Sequence, residues 1–273
     1  MKIMTVADNE SYKTMLDEEL RSRFLLSELF QPGKTNLVMT DVDRAIVGGV
    51  VPMETPLGLG NPKEVAAEFF TQRREVGVVN IGGAGSVSVS GEAFNMENRD
   101  CLYIGRGNEK ILFSSDNSDD PSKYALFSYP AHTAYPSKRV RRDEARQIEL
   151  GDDGRANDRV IVQAICPGIV DTCQLVMGFT ELKHGSVWNT MPPHTHQRRS
   201  EIYMYFDVDD DQRVFHFMGE PNKFRAIVTK SGEAVVSPSW SVHFGVGTMP
   251  YTFIWSMGGE NQVFDDMDSF SFD

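Results

Sequence analysis

Two histidines one residue apart, His194 and His196, stand in the stretch Met191-Pro192-Pro193-His194-Thr195-His196. On an extended segment, residues two apart point to the same side, so both imidazoles can face one point. Glu201 follows a short basic loop carrying Arg198 and Arg199 and opens the run Ile202-Tyr203-Met204-Tyr205-Phe206, so its carboxylate is expected from a neighbouring strand. Two imidazoles and a carboxylate suit a borderline divalent cation. They leave positions open for water or substrate, as a catalytic rather than a structural site requires. His243, in Pro238-Ser239-Trp240-Ser241-Val242-His243, offers a fourth ligand where a strand should return across the same barrel. His132 and His184 read as loop residues, and His216, among Val214, Phe215 and Phe217, as a strand residue.

The elements that must position these groups are mostly strands. Short runs with strand character fall at 76–80, 86–90, 110–114, 124–129, 159–165, 174–180, 202–208, 214–218, 225–229 and 251–256, separated by Gly, Pro, Asn and Asp turns. Such spacing indicates a sandwich or barrel rather than βαβ units. Leu16, Leu20, Phe24 and Leu29 predict an amphipathic helix within 12–29, and Asn61-Pro62-Lys63-Glu64 predicts a second helix running to Gln72. The polar stretch 138–158 lacks apolar periodicity and divides the chain into halves, 1–150 and 151–273. A faint echo links Ser90-Gly91-Glu92-Ala93 with Ser231-Gly232-Glu233-Ala234, and would place Tyr103 of the first half where the second has His243.

The chain has 273 residues, 40% apolar and 24% charged, as an ordinary globular protein has. Its net charge of -12 argues against nucleic acid as a partner, and the basic run Lys138–Arg142 is followed at once by Asp143 and Glu144. No early apolar signal segment and no window of about 18 apolar residues occurs, so a cytoplasmic protein without a membrane partner is expected. Cys101, Cys166 and Cys173 are odd in number and lack a CxxC pair, and read as reduced packing residues.

The spacing HxHx4E with a distant histidine resembles the metal motif of the cupin superfamily. The expected fold is therefore mainly β: a two-barrel cupin (bicupin, jelly roll) with a few short N-terminal helices. The resemblance narrows over Ser186-Val187-Trp188-Asn189-Thr190-Met191-Pro192-Pro193-His194 and on through Phe206, over Asp100–Gly107 and Pro130–Pro136, and over Gly259–Asp268. Together these are similar to the 5-keto-4-deoxyuronate isomerase (4-deoxy-L-threo-5-hexosulose-uronate ketol-isomerase) family, in order and over nearly the whole chain. The resemblance implies a metal-free first barrel in 1–150 and one zinc ion per subunit in 151–273, held by His194, His196, Glu201 and His243. It also implies a cyclic homo-oligomer, a hexamer, acting on a small acidic sugar in the breakdown of pectin or other uronate polymers. The reaction implied converts 5-dehydro-4-deoxy-D-glucuronate to 3-deoxy-D-glycero-2,5-hexodiulosonate.

Moving a carbonyl to the adjacent hydroxyl-bearing carbon needs a proton removed, an enediolate stabilised and a proton returned, which a Lewis-acidic metal assists without a redox cofactor. Tyr203 and Tyr205 share the strand face of Glu201 and are candidates for proton relay or orientation. Arg198 or Arg199, one of the two, is the candidate clamp for a substrate carboxylate. Two rival readings are an iron-dependent cupin oxygenase, since the ligands also suit ferrous iron, and a non-catalytic sugar-binding cupin.

Overall fold

The computed structural model describes residues 1–271. They fall into two compact units: Met1–Met4, Glu28–Ala145 and Ala164–Val176 in unit one, and Thr5–Ser27, Arg146–Gln163 and Met177–Asp273 in unit two. Unit one has a seven-stranded sheet in the order Lys2–Met4, Thr35–Thr40, Ile46–Val50, Tyr124–Pro130, Arg74–Asn80, Cys101–Ile104, Lys138–Val140. Its second sheet runs Leu57–Gly58, Ile111–Ser115, Gly85–Val89, Glu92–Met96. The strand Gly85–Val89 shows why: Val87 and Val89 are buried in the core beside Phe113 and Tyr124, while Ser86 and Ser88 between them face outward. Cys101 and Cys166 are buried packing residues, and Cys173 is half-buried.

Unit two repeats this plan. Its seven-stranded sheet runs Arg146–Leu150, Arg159–Ile165, Val176–Leu182, Thr252–Gly259, Arg199–Phe206, Ala234–Ser237, Leu25–Leu26. The five-stranded sheet runs Lys223–Thr229, Val214–Glu220, Val242–Gly247, Trp188–Thr195, Asp268–Ser269. This matching order is the two-barrel cupin plan, but the sequence echo is not its trace. Ser90-Gly91 turns a hairpin within the smaller sheet of unit one, whereas Ser231-Gly232 leads from one sheet of unit two to the other. By strand order Cys101–Ile104 corresponds to Ala234–Ser237, so Tyr103 does not stand in for His243.

Chain order and spatial order differ at the N-terminus. The helices Asn9–Tyr12 and Asp17–Phe24 belong to unit two rather than to the half that contains them in sequence. Asp8 caps the first by accepting from the backbone N–H groups of Glu10 and Ser11. Tyr12 and Phe24 pack with Trp240, the Tyr12 hydroxyl donates to the Met218 carbonyl at 2.8 Å, and Leu25–Leu26 pairs with Val235 and Ala234. The helix expected over 61–72 is a single turn, Lys63–Val65, closed by Ala66 at φ 49°. Side chains replace helical bonds there: Asn61 donates to the Glu68 carbonyl, and the Gln72 side chain accepts from the Glu68 N–H. Among the described residues no helix is long and apolar enough to cross a membrane.

Gly178 marks the tightest packing beside the interior of unit two. A Cβ there would lie 2.1 Å from the Val162 carbonyl oxygen and 2.5 Å from the Trp255 ring. Gly178→Ala is expected to destabilise the protein by about 1–3 kcal/mol. An unchanged urea midpoint would show that the strands separate at little cost.

Candidate metal centre

The strand Trp188–Thr195 pairs regularly at Trp188 and Asn189, then shifts register before His194 meets His243. Pro192 and Pro193 have no N–H to give to a ladder, so a bulge is forced between the two paired parts. Thr190, at φ 55°, sits in the left-handed region that a β-branched residue avoids. Such strain costs of order 1–3 kcal/mol and persists where surrounding structure over-determines it. Beyond the bulge, His194 lies directly across from His243 on the neighbouring strand, and Glu201 comes from the other sheet.

Four donor atoms converge. His194 Nε2 lies 3.2 Å from both His196 Nε2 and His243 Nε2, and a Glu201 carboxylate oxygen lies 3.0 Å from His196 Nε2 and 2.7 Å from His243 Nε2. All four residues are buried, and among the described residues they form the group of metal-ligating side chains close enough to hold an ion. A tetrahedral ion with bonds of about 2.0–2.2 Å would set donor–donor edges of roughly 3.4 Å. The observed contacts are somewhat shorter, so the donors would move apart slightly around a central cation that attracts them all.

The outer nitrogens explain why these lone pairs point inward. His194 Nδ1 lies 3.2 Å from the Pro192 carbonyl, His196 Nδ1 2.8 Å from the Asp266 carbonyl, and His243 Nδ1 3.1 Å from the Ser237 hydroxyl. A carbonyl only accepts, so Nδ1 of His194 and of His196 donates and Nε2 is left unprotonated toward the centre. The Arg199 guanidinium also lies 3.4 Å from His196 Nδ1, but the shorter carbonyl contact sets the tautomer. Burial, and then the neighbouring His243 and His196, push the His194 imidazole down to about 3. Burial lowers His243 as well. Burial alone would push the Glu201 carboxyl up, yet the facing imidazoles, His243 first, hold it well below the usual carboxylate range. Neutral imidazoles around an ionised carboxylate are the protonation state in which every donor can bind a cation.

A cavity of about 220 Å³ opens beside this cluster, with His194, His196, Glu201 and Tyr203 in its lining. Tyr203 bonds the Thr190 hydroxyl at 2.8 Å, and its ring lies 5.3 Å from that of His243. Tyr205 is outside the lining, its hydroxyl 2.7 Å from Nδ1 of the buried His216. Arg198 and Arg199 do not line the cavity either. Arg198 holds the Asp266 carboxylate with Nε at 2.7 and 2.9 Å, and the buried Arg199 donates to the carbonyls of Val263 and Phe264. Both thereby fix the C-terminal segment, whose Asp266 carbonyl orients His196 and whose Phe264, Asp265 and Met267 line the cavity. The arginine that does line the cavity is Arg159, on the first strand of the second half. Sequence reading missed it because, at the start of a strand, it resembles any flanking surface charge.

A family model for the KduI/IolB family matches residues 25–271. The chain belongs to the KduI/IolB family. A relative from Lachnoclostridium phytofermentans, a 4-deoxy-L-threo-5-hexosulose-uronate ketol-isomerase, is 47% identical over 98% of both chains. Another of that name from Escherichia coli SE11 is 48% identical over 94% of this chain and 93% of its own. Among solved structures, an IolB-like protein from Salmonella typhimurium LT2 matches with a TM-score of 0.69 at 13% identity, covering 92% of this chain and 96% of its own. An oxalate decarboxylase variant from Bacillus subtilis matches with a TM-score of 0.55 at 10% identity, over 80% and 70% of the two chains. At such identities these structures speak to the cupin fold of the family alone.

Two outcomes follow from this geometry. Arg198→Ala frees the Asp266 segment that orients His196 and is expected to weaken metal affinity roughly 10- to 100-fold, read by competition with a chelator. Retention of metal at wild-type affinity would mean that the segment holds without its ion pair. The second concerns pH. Burial pushes His194 and His216 down from an ordinary 6.5 to about 3. The unfolded chain therefore binds more protons between these values, and the stability of metal-free protein must fall as pH drops. Urea midpoints in a chelator should decline from pH about 6.5 to about 5, above the range of ordinary carboxylates. His216→Asn should flatten that decline, and an equal slope in the variant would remove His216 from the account.

Proposed function

We propose that the chain is a metal-dependent ketol-isomerase that converts 4-deoxy-L-threo-5-hexosulose uronate (5-dehydro-4-deoxy-D-glucuronate) to 3-deoxy-D-glycero-2,5-hexodiulosonate in uronate catabolism. The observation that carries this reading is near-full-length identity of 47% to a relative of that activity, in a chain whose four donors converge on one cavity. His194, His196, Glu201 and His243 are the proposed ligands of one zinc ion per chain. Imidazole and carboxylate are donors that zinc accepts, and expansion beyond four ligands would admit a sugar oxygen. Once bound, the metal would supply Lewis-acid stabilisation of the oxygens that gain charge as the carbonyl shifts.

The protein's own groups do the rest. Tyr203 faces the cavity, and burial together with the charge of Glu201 raises its phenol well above the ordinary value. It therefore stays protonated and acts as a hydrogen-bond donor to a sugar oxygen rather than as the base. Tyr205, also raised by burial and bonded to His216, supports Tyr203 from below: both rings pack on Phe253. Phe253, Trp255, Met257 and Phe264 keep the cavity wall apolar, which strengthens each polar contact made within it. The family resemblance further implies a cytoplasmic homohexamer, an assembly that sedimentation analysis would read directly.

Purified protein should isomerise freshly generated substrate with a divalent metal present at one equivalent. His243→Ala should lower kcat/KM by roughly 10²- to 10³-fold or more, and Tyr203→Phe should lower kcat roughly 10²-fold with metal content unchanged. Metal-replete protein that leaves the sugar intact would overturn the isomerase reading. Oxygen consumption would then favour an iron-dependent oxygenase, and tight uronate binding without turnover a sugar-binding cupin.

A further inference from the structure

Arg159 is 6% exposed and, among the described residues, pairs with no carboxylate. Its Nη1 donates to the Asn157 carbonyl at 2.8 Å and its Nη2 to the Met191 carbonyl at 3.1 Å. Those bonds use two of the five N–H donors and neutralise no charge. A guanidinium does not shed its proton in a protein, so unit two holds a desolvated positive charge at the wall of the cavity beside the metal cluster. Buried charges are ordinarily compensated by a partner. Asp158, next in the chain, lends some charge but is paired with Lys183, so the cavity is where a counter-charge of Arg159's own can reach it.

Three consecutive residues of the bulged strand tie this charge to the metal cluster. The Thr190 hydroxyl holds the Tyr203 hydroxyl, the Met191 carbonyl holds Arg159, and the Pro192 carbonyl orients His194. The strained turn therefore sets the spacing among cation, phenol and metal ligand. Arg159 lies on the strand Arg159–Ile165, and Glu201 three strand positions away on Arg199–Phe206. Those steps span roughly 14 Å between backbones. Arg159, His194, His196 and Glu201 all line the same cavity of about 220 Å³, so one acidic sugar bound there can meet the guanidinium at one end and the cluster at the other.

We propose that Arg159 is the subsite for the carboxylate of an acidic sugar whose carbonyl end meets the metal cluster, and that it is the residue that selects uronates over neutral sugars. The proposal rests on the isomerase reading only for the identity of that sugar. It assigns to Arg159 the clamp that sequence alone sought at Arg198 or Arg199.

The test compares wild type with Arg159→Met and Arg159→Lys, all metal-loaded, by calorimetric binding of D-glucuronate and D-glucose and by turnover of 5-dehydro-4-deoxy-D-glucuronate. Arg159→Met is expected to weaken D-glucuronate binding and raise KM roughly 10- to 100-fold, with unchanged metal content and unchanged weak binding of D-glucose. Arg159→Lys, which keeps the charge and loses the planar fork, should fall between the two. If Arg159→Met does not fold, the lysine variant decides: D-glucuronate affinity and KM equal to wild type would overturn the subsite. Wild-type KM in Arg159→Met would sink the proposal while leaving the isomerase standing. Arginine-dependent D-glucuronate binding in a protein without turnover would uphold the subsite and reject the isomerase.

Discussion

Everything in unit two is arranged around a repulsion. Three imidazole nitrogens, those of His194 and His196 with their lone pairs inward, and a carboxylate oxygen are held 2.7–3.2 Å apart in a buried place. Without a cation such a cluster is unfavourable, so the scaffold must hold it in place. Carbonyls of Pro192 and Asp266 and the Ser237 hydroxyl clamp the outer nitrogens, and burial disfavours the protonated imidazoles that would otherwise relieve the crowding. Folding assembles the donors in advance, so a cation entering this cluster would not have to gather them.

The bulge in Trp188–Thr195 solves the geometric part of this problem. Two prolines interrupt the ladder, a β-branched threonine adopts a left-handed backbone, and the strand resumes in a register that sets His194 opposite His243. Thr190, Met191 and Pro192 of this bulge hold Tyr203, Arg159 and His194 in turn. A single backbone irregularity thus fixes a phenol, a cation and a ligand relative to one another, more rigidly than three independent loops could. The C-terminal segment closes the arrangement, because the Asp266 carbonyl that orients His196 is itself held through Arg198 and Arg199.

Much of this was legible in the linear chain. Period-two alternation marked the strands, and HxH on an extended segment announced two imidazoles on one face. Placing Glu201, Tyr203 and Tyr205 on one strand face also needed only that rule. Other signals misled for identifiable reasons. The Asn61-Pro62 start signal was real, but side chains of Asn61 and Gln72 satisfied the backbone that a helix would have closed. The repeated Ser-Gly-Glu-Ala was a turn composition, and turns of the same composition join different pairs of strands. Arg198 and Arg199 stood beside the ligands in sequence, yet their guanidinium groups turn to the C-terminal segment.

The β architecture, the clustering imidazoles and the family could be read from the linear chain, because these depend on local alternation and on residues close together or matched in order to known relatives. Folding alone settles the tautomers of His194 and His196, the packing of the N-terminal helices with unit two, and the placing of Arg159 rather than Arg198 or Arg199 at the cavity. Each of those outcomes depends on partners tens to hundreds of residues away. Long-range contacts of that kind leave no periodicity in the chain, since they are selected by shape and charge compensation after the sheets have formed.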